Sequence, residues 1–206
     1  MEKNIQTGMD VYHLHGNAAF QTKYYDMHYQ MCSCRKGKEL EGPTYLTELK
    51  VEQWGPLVWK YLHIAAEKIG YGSNPILDAD SANSIQLIIT GLPDILPCTD
   101  CQNHARSYIQ EHKFITKDLN GTRLRTYVRE YLFTFHNTVR RRKGQPILVE
   151  TPEACSALYA STVISNTDDK HFADYFRYAL LYRIINSTKY MRWWDIFRRL
   201  RLSLGF

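Results

Sequence analysis

Successive stretches of this chain repeat their apolar residues at helical spacing, and that periodicity constrains the fold more than any other feature. From Glu52 onward, Trp54, Leu57, Val58, Tyr61, Leu62, Ala65 and Ile69 follow the i, i+3, i+4, i+7 pattern of an amphipathic helix. Gly70 to Pro75 end it. Ser81 is placed to cap a second helix through Ile85, Ile88, Ile89 and Leu92. Pro97 opens a third, with Cys98, Cys101, Ala105, Tyr108 and Ile109. A fourth begins near Thr122, carries Leu124, Tyr127, Val128, Tyr131, Leu132, Phe135 and Val139 as its buried stripe, and ends in Arg140-Arg141-Arg142-Lys143 before Gly144. Thr151-Pro152 starts a short fifth helix. No strand alternation of useful length precedes residue 146, so residues 51–162 read as all-α: a four-helix bundle plus a short fifth helix.

The flanks differ in character. Residues 1–50 show little periodicity and contain Gly8, Gly16, Gly37, Gly42 and Pro43, which reads as a flexible N-terminal arm. Residues 163–206 read as a helical extension with two candidate helices, 169–186 and 188–203. Phe172, Phe176, Ala179, Leu180 and Ile184 share one stripe of the first, while the second is basic and aromatic through Trp193, Trp194, Phe197, Arg198, Arg199 and Arg201. Between Phe176 and Phe206 seven Lys/Arg face the single acid Asp195, so this tail accounts for the whole net charge of +5. Its simplest role is to pack an aromatic face on the bundle. Trp beside Arg also suits a partner or an anionic membrane surface. So small a charge does not make nucleic acid the primary ligand. No stretch approaches the roughly 20 apolar residues of a membrane helix, and residues 1–30 lack an apolar signal-type run. The expectation is a soluble protein without a cleaved signal.

Five cysteines fall as two close pairs, Cys32/Cys34 and Cys98/Cys101, and a singleton, Cys155. In a chain of this kind close pairs suggest redox catalysis or a metal. Cys98 and Cys101 stand i and i+3 on the first turn of the third helix, close enough for a disulfide, and the helix N-terminus favours a thiolate there. A thioredoxin-like setting would need a strand leading into the motif, and an Ile-rich helical segment precedes it instead. A zinc-binding helical interaction module could use Cys98, Cys101, His104 and the Cys32/Cys34 pair. His63, His104 and His136 fall on three different helices beside apolar stripes, an arrangement that can hold a planar cofactor between facing side chains.

Three motifs in order carry a resemblance. They are Trp54-Gly55-Pro56-x-x-Trp59-Lys60-x-Leu62-His63, Leu96-Pro97-Cys98-x-x-Cys101-x-x-His104, and Phe135-His136-Asn137-x-Val139. Over about residues 52–160 the chain resembles the Erv/ALR-type FAD-linked sulfhydryl oxidases, and its wording is closest to members encoded by large cytoplasmic DNA viruses. The resemblance implies a five-helix fold holding FAD. It implies that Cys98 is the sulfur attacked by incoming thiols and that Cys101 faces the flavin as a charge-transfer thiolate. It also implies that Trp54, Gly55, Trp59, His63, His104, His136, Asn137, Val139, Arg140 and Lys143 line or contact the cofactor. Electrons would pass from protein dithiols through Cys98–Cys101 to FAD and then to molecular oxygen, giving hydrogen peroxide. A homodimer through the first two helices is implied as well.

Two departures bear on this. Many members carry a further structural disulfide spanning about seventeen positions; here Cys155 has Phe172 where its partner would stand, so it reads as a free, packed thiol. Members often carry a mobile second pair that relays electrons, and Cys32-Ser33-Cys34 on the arm fits such a shuttle. A virus-encoded protein would work in the host cytoplasm or the virion; the alternative compartment is the mitochondrial intermembrane space.

Overall fold

A computed structural model describes residues 50–71 and 74–206, which lie in one compact unit. The arm, with Cys32 and Cys34, lies outside the described residues. Seven α-helices and a short 3-10 turn make up the regular structure of the described residues, with no strand among them. They are α1 (Val51–Lys68), α2 (Pro75–Gly91), the turn Leu92–Asp94, α3 (Thr99–Glu111), α4 (Gly121–Arg142), α5 (Pro152–Ala160), α6 (Asn166–Leu181) and α7 (Ser187–Leu204). Helix α1 is the centre of the assembly. Every residue from Tyr61 to Glu67 is buried, because α4, α5, α6 and α7 all pack around it. Its amphipathic stripe is therefore only the part legible from one side.

The end of α1 is locked to the start of α4. Gly70 has φ +66, and a Cβ there would run into the carbonyl oxygen of Gly121, so glycine is required for both conformation and space. Arg125 donates to the carbonyls of Ile69 and Gly70 at 3.0 and 2.6 Å. Asp78 of α2 accepts from the Gly121 N–H at 2.7 Å. Three helices thus meet at one corner, which fixes the angle at which α4 crosses the core.

Helix starts follow capping chemistry, and this moves three boundaries read from the sequence. The second helix begins six residues before Ser81, because Asn74 accepts from the Ile76 and Leu77 N–H groups and Pro75 occupies the first turn; Ser81 lies buried inside the helix. The first tail helix is 166–181 rather than 169–186. Ser165 and Asp168 form a reciprocal capping box, and Arg183 turns left-handed at φ +55, leaving Ile184 exposed beyond the helix. Cys98 is the N-cap of α3 and not a member of its first turn.

Helices α6 and α7 share the core of the bundle. Phe172, Phe176, Tyr190, Trp193, Trp194 and Phe197 are buried, and Trp193 donates its indole N–H to the Ile88 carbonyl of α2 at 2.9 Å. Arg201, only 6 % exposed, pairs with Asp169 at 2.8 Å and lies over the ring of Tyr61. Tyr61 in turn donates to Asp169. Arg192, Arg198 and Arg199 stay at the surface. No described helix is long and apolar enough to cross a membrane.

Candidate functional site

The Leu92–Asp94 turn and the segment after it bring the chain round so that Pro97 precedes Cys98 at the mouth of α3. The Gln102 amide holds this bend by donating to the Leu96 carbonyl at 2.8 Å. Cys98 Sγ accepts the Cys101 backbone N–H at 3.2 Å, so the sulfur satisfies one of the unpaired donors that begin every helix. Both thiols are free and half-buried. Their surroundings differ. Cys101 lines a cleft of about 330 Å3, whereas Cys98 does not. Burial, the adjoining Cys98 sulfur and its charge push the Cys101 thiol up to about 12, while Lys143 and Arg142 act in the opposite direction.

The walls of the cleft come from α1, α3, α4, α5 and the bend after α2. Trp54, Trp59, Phe135, His136 and Tyr159 supply aromatic faces, and Arg140, Arg142 and Lys143 supply cations. Trp59 and His136 stack with centroids 4.2 Å apart and planes within 5°. Of the residues singled out from the sequence, Trp54, Gly55, Trp59, Cys101, His104, His136, Val139, Arg140 and Lys143 all line this one cleft. His63 and Asn137 do not. His63 lies behind His136, with its Nε2 3.0 Å from His136 Nδ1. Asn137 fastens the loop after α4, accepting from the Leu148 N–H at 3.0 Å and donating to the Val149 carbonyl at 3.2 Å. That loop in turn brings Leu148 into the wall.

Tyr159 and Arg142 line the cleft without having been singled out. Tyr159 sits on a nine-residue helix whose sequence carries one aromatic and no clear stripe, so only its contact with His63 reveals it. Arg142 is one of four consecutive cations at the end of α4, and sequence alone reads that run as a helix stop. Among the described residues no group of three or more His, Cys, Asp or Glu is placed to hold a metal ion, Cys98, Cys101 and His104 included, and the Cys32/Cys34 pair of the zinc site considered from the sequence lies outside the described residues.

The donor set of the cleft fits FAD. A planar ring system needs flat aromatic walls, and a diphosphate needs cations; both stand here on one cavity. The Trp54 indole N–H is buried and has no hydrogen-bond partner among the described residues, and Trp54 lines the cleft. An orphaned buried donor costs about 1–3 kcal/mol, which an acceptor atom of a ligand in the cleft would recover.

Burial holds His63 down to about 4, and burial together with His63 and Arg140 holds His136 down to about 3, from an ordinary 6.5. Both rings are thus neutral in the folded protein. The unfolded chain takes up their protons as pH falls below 6.5 while the folded chain does not, so stability is lost on acidification from 6.5 toward the folded values. Each ring adds a slope of about 1.4 kcal/mol per pH unit in that window. Asp168 burial is outweighed by hydrogen bonds from Lys60 and Ser165, which hold it down to about 2, so its stabilisation disappears only below the ordinary carboxylate range. The urea midpoint should therefore fall between neutral pH and a pH of about 5. A midpoint constant over that interval contradicts the neutral-histidine assignment.

A family model described as the Erv1 / Alr family matches residues 56–162. Protein 347L of Invertebrate iridescent virus 6 is 30 % identical over 107 residues, covering 52 % of this chain and 93 % of its own length. Protein 096R of Invertebrate iridescent virus 3 is 34 % identical over 98 residues, 46 % of this chain and 59 % of its own length. Both names assign those proteins provisionally as FAD-linked sulfhydryl oxidases. The FAD-linked sulfhydryl oxidase of African swine fever virus (isolate Tick/Malawi/Lil 20-1/1983) is 33 % identical over 95 residues, 46 % of this chain and 71 % of its own length. No solved structure matches.

Proposed function

The chain belongs to the Erv1/Alr family, and on that footing we propose how its residues carry the family's chemistry. It is an FAD-linked sulfhydryl oxidase that turns thiols into disulfides with oxygen as acceptor. The observation that supports the assignment of roles is the split between two adjacent sulfurs: Cys101 lines the aromatic, cationic cleft and Cys98 stands outside it. Cys98 is the sulfur that meets substrate. An incoming protein thiolate attacks Cys98 Sγ of the Cys98–Cys101 disulfide, that bond breaks, and Cys101 leaves as a thiolate. The second substrate thiolate then attacks the mixed disulfide and releases Cys98. Two substrate thiols become one disulfide, and their two electrons now reside on the Cys98/Cys101 dithiol. A bound FAD would supply the two-electron redox chemistry that links this dithiol to oxygen, with hydrogen peroxide as the product. Burial opposes charge on Cys101. Lys143 and Arg142 reduce that cost at the moment Cys101 leaves. Trp54, Trp59, His136 and Tyr159 would wall the ring system of a bound FAD, Arg140, Arg142 and Lys143 would meet its phosphates, and Asn137 holds the loop that closes one side of the cleft.

Residues 51–162 form the oxidase portion in this reading, and Cys32 and Cys34 on residues 1–50 serve as a shuttle for protein substrates. One set of measurements tests it. The purified chain should be yellow and consume oxygen when given a small dithiol, whereas a colourless protein containing stoichiometric zinc would refute the reading. Changing Cys32 and Cys34 to serine should spare small-dithiol oxidation and slow protein oxidation; equal loss on both removes the shuttle.

Helices α6 and α7 pack against α1 and α2, the pair of helices through which the family resemblance implies a homodimer. In this reading the extension 163–206 covers within one chain the faces of α1 and α2 that it contacts, so copies do not pair through those faces and the chain is a monomer. Sedimentation should give the mass of one chain, and a stable dimer disrupted by charges placed on α1 or α2 would contradict this. The relatives are viral, and a virus-encoded enzyme of this kind acts in host cytoplasm or virion. Fractionation of infected cells separates that from the mitochondrial intermembrane space.

A further inference from the structure

Behind the wall of the cleft, three polar side chains form a line that the thiol exchange does not use. Cys155 Sγ lies 3.8 Å from His63 Nδ1, and His63 Nε2 lies 3.0 Å from His136 Nδ1. All three residues are buried. Flat neighbours clamp both rings: His136 against Trp59, and His63 against Tyr159 at 4.5 Å and 11°. Trp59, His136 and Tyr159 line the cleft, while His63 and Cys155 stand one layer back. His136 Nδ1 is engaged by His63, and His136 Nε2 has no hydrogen-bond partner among the described residues.

Two neutral imidazoles joined by one hydrogen bond admit two proton arrangements. In the first, His63 Nε2–H donates to His136 Nδ1, and His63 Nδ1 accepts from the Cys155 thiol. In the second, His136 Nδ1–H donates to His63 Nε2, and His63 Nδ1–H must donate to sulfur. Cys155 decides between them. A thiol S–H is a weak donor but an unprotonated imidazole nitrogen is a good acceptor, whereas a thiol sulfur is a poor acceptor for an imidazole N–H. The thiol also keeps its proton. Burial and the Glu67 carboxylate push it up to about 11, and Glu67 is held in place by Arg129 and by Ser156, the residue after Cys155. The first arrangement therefore prevails, and it leaves the proton of His136 on Nε2.

We propose that Cys155 and His63 are positioning residues that fix His136 in its Nε2–H tautomer, making it a neutral hydrogen-bond donor to an acceptor atom of FAD in the cleft. The ligand half of this rests on the FAD reading of the cleft; the tautomer half rests on bonds within the chain. Residues one layer behind the wall thus set the protonation of the ring in front of them, a role that sequence spacing cannot show because the three residues come from α1, α4 and α5.

Nitrogen-15 histidine labelling of the full chain, purified with its FAD, reads the tautomer directly. The expected spectrum has His136 protonated on Nε2 and unprotonated on Nδ1. Cys155→Ala should give a mixture of both tautomers and bind FAD about threefold more weakly. Cys155→Ser, which keeps an O–H donor at the position, should restore both properties. Cys155→Val, closer in size and without a donor, should show the same tautomer mixture and weakened FAD binding, and it supplies the readout if the cavity left by alanine unfolds the chain. A wild-type His136 protonated on Nδ1, or a tautomer unchanged in both the alanine and valine variants, overturns the proposal. A folded chain that keeps the Nε2–H tautomer but takes up no FAD overturns the ligand half and the FAD reading with it, whereas bound FAD beside the other tautomer overturns the tautomer half alone.

Discussion

Cys101→Ser should abolish dithiol turnover, by at least about a thousandfold, while the protein remains folded and yellow. The size follows from the role. Serine cannot form the disulfide through which electrons leave substrate, and no other described cysteine can replace it, since Cys155 is buried behind the cleft. Folding should survive because Cys101 is half-buried and its backbone N–H, not its sulfur, makes the bond that caps α3. Cys98→Ser should lose as much turnover for a different reason. It removes the sulfur that substrate reaches and leaves Cys101 facing the cleft, and serine at the N-cap still accepts the Cys101 N–H. The two variants separate in what they trap. Cys101→Ser leaves the Cys98 thiolate able to attack a single-cysteine protein substrate activated as its thionitrobenzoate mixed disulfide, forming a mixed disulfide with the protein as thionitrobenzoate leaves, and Cys98→Ser, with Cys101 turned to the cleft, does not. Oxygen uptake, the bound flavin spectrum and non-reducing gels measure all three quantities. More than about a tenth of normal turnover in either variant is incompatible with the relay.

Much of this site was legible because helical periodicity and motif spacing agree. Trp54, Trp59, His104, His136 and Arg140 stand on stripes or just beside them, and packing the stripes of α1, α3 and α4 together forces these residues onto one cavity. What was not legible depends on three-dimensional order. Tyr159 enters the cleft because α5 docks beside α1, and His63 leaves it because His136 stands in front; no local pattern distinguishes the two. Ser81 looked like a helix start because serine is a good cap, yet Asn74 followed by Pro75 wins, having both the acceptor and the preset φ. The burial of α1 on all sides from Tyr61 to Glu67 was hidden too, because it needs α6 and α7 beside α4 and α5, and the tail's own sequence gives an aromatic face without saying what that face covers.

Trp193→Ala tests how deeply that tail is built into the enzyme, and it should destabilise the whole described unit by about 3–5 kcal/mol. The indole is 5 % exposed, packs against Phe197 at 4.8 Å and Phe176 at 6.3 Å, and donates to the Ile88 carbonyl on α2. Truncation removes a large apolar volume between two helices that are already fixed by other contacts, so the gap cannot close fully. The position also reaches the site. The same indole lies against Gly91, the last residue of α2, where an added Cβ would stand 3.1 Å from Trp193 Cδ1. Directly beyond Gly91 come the turn Leu92–Asp94 and then Leu96, and Leu92 and Leu96 both line the cleft. Loosening α7 should therefore lower FAD retention along with stability. Gly91→Ala should be destabilising in the wild-type background and less so, or favourable, once Trp193 is alanine, because the crowding is gone and alanine suits a helix better than glycine. Urea unfolding followed both by flavin release and by far-UV circular dichroism reads this as one shared transition at lower urea. A tail that unfolds in its own transition, with the flavin-release midpoint unmoved, would mean that α7 decorates the bundle; a shared shift means that the oxidase core includes it.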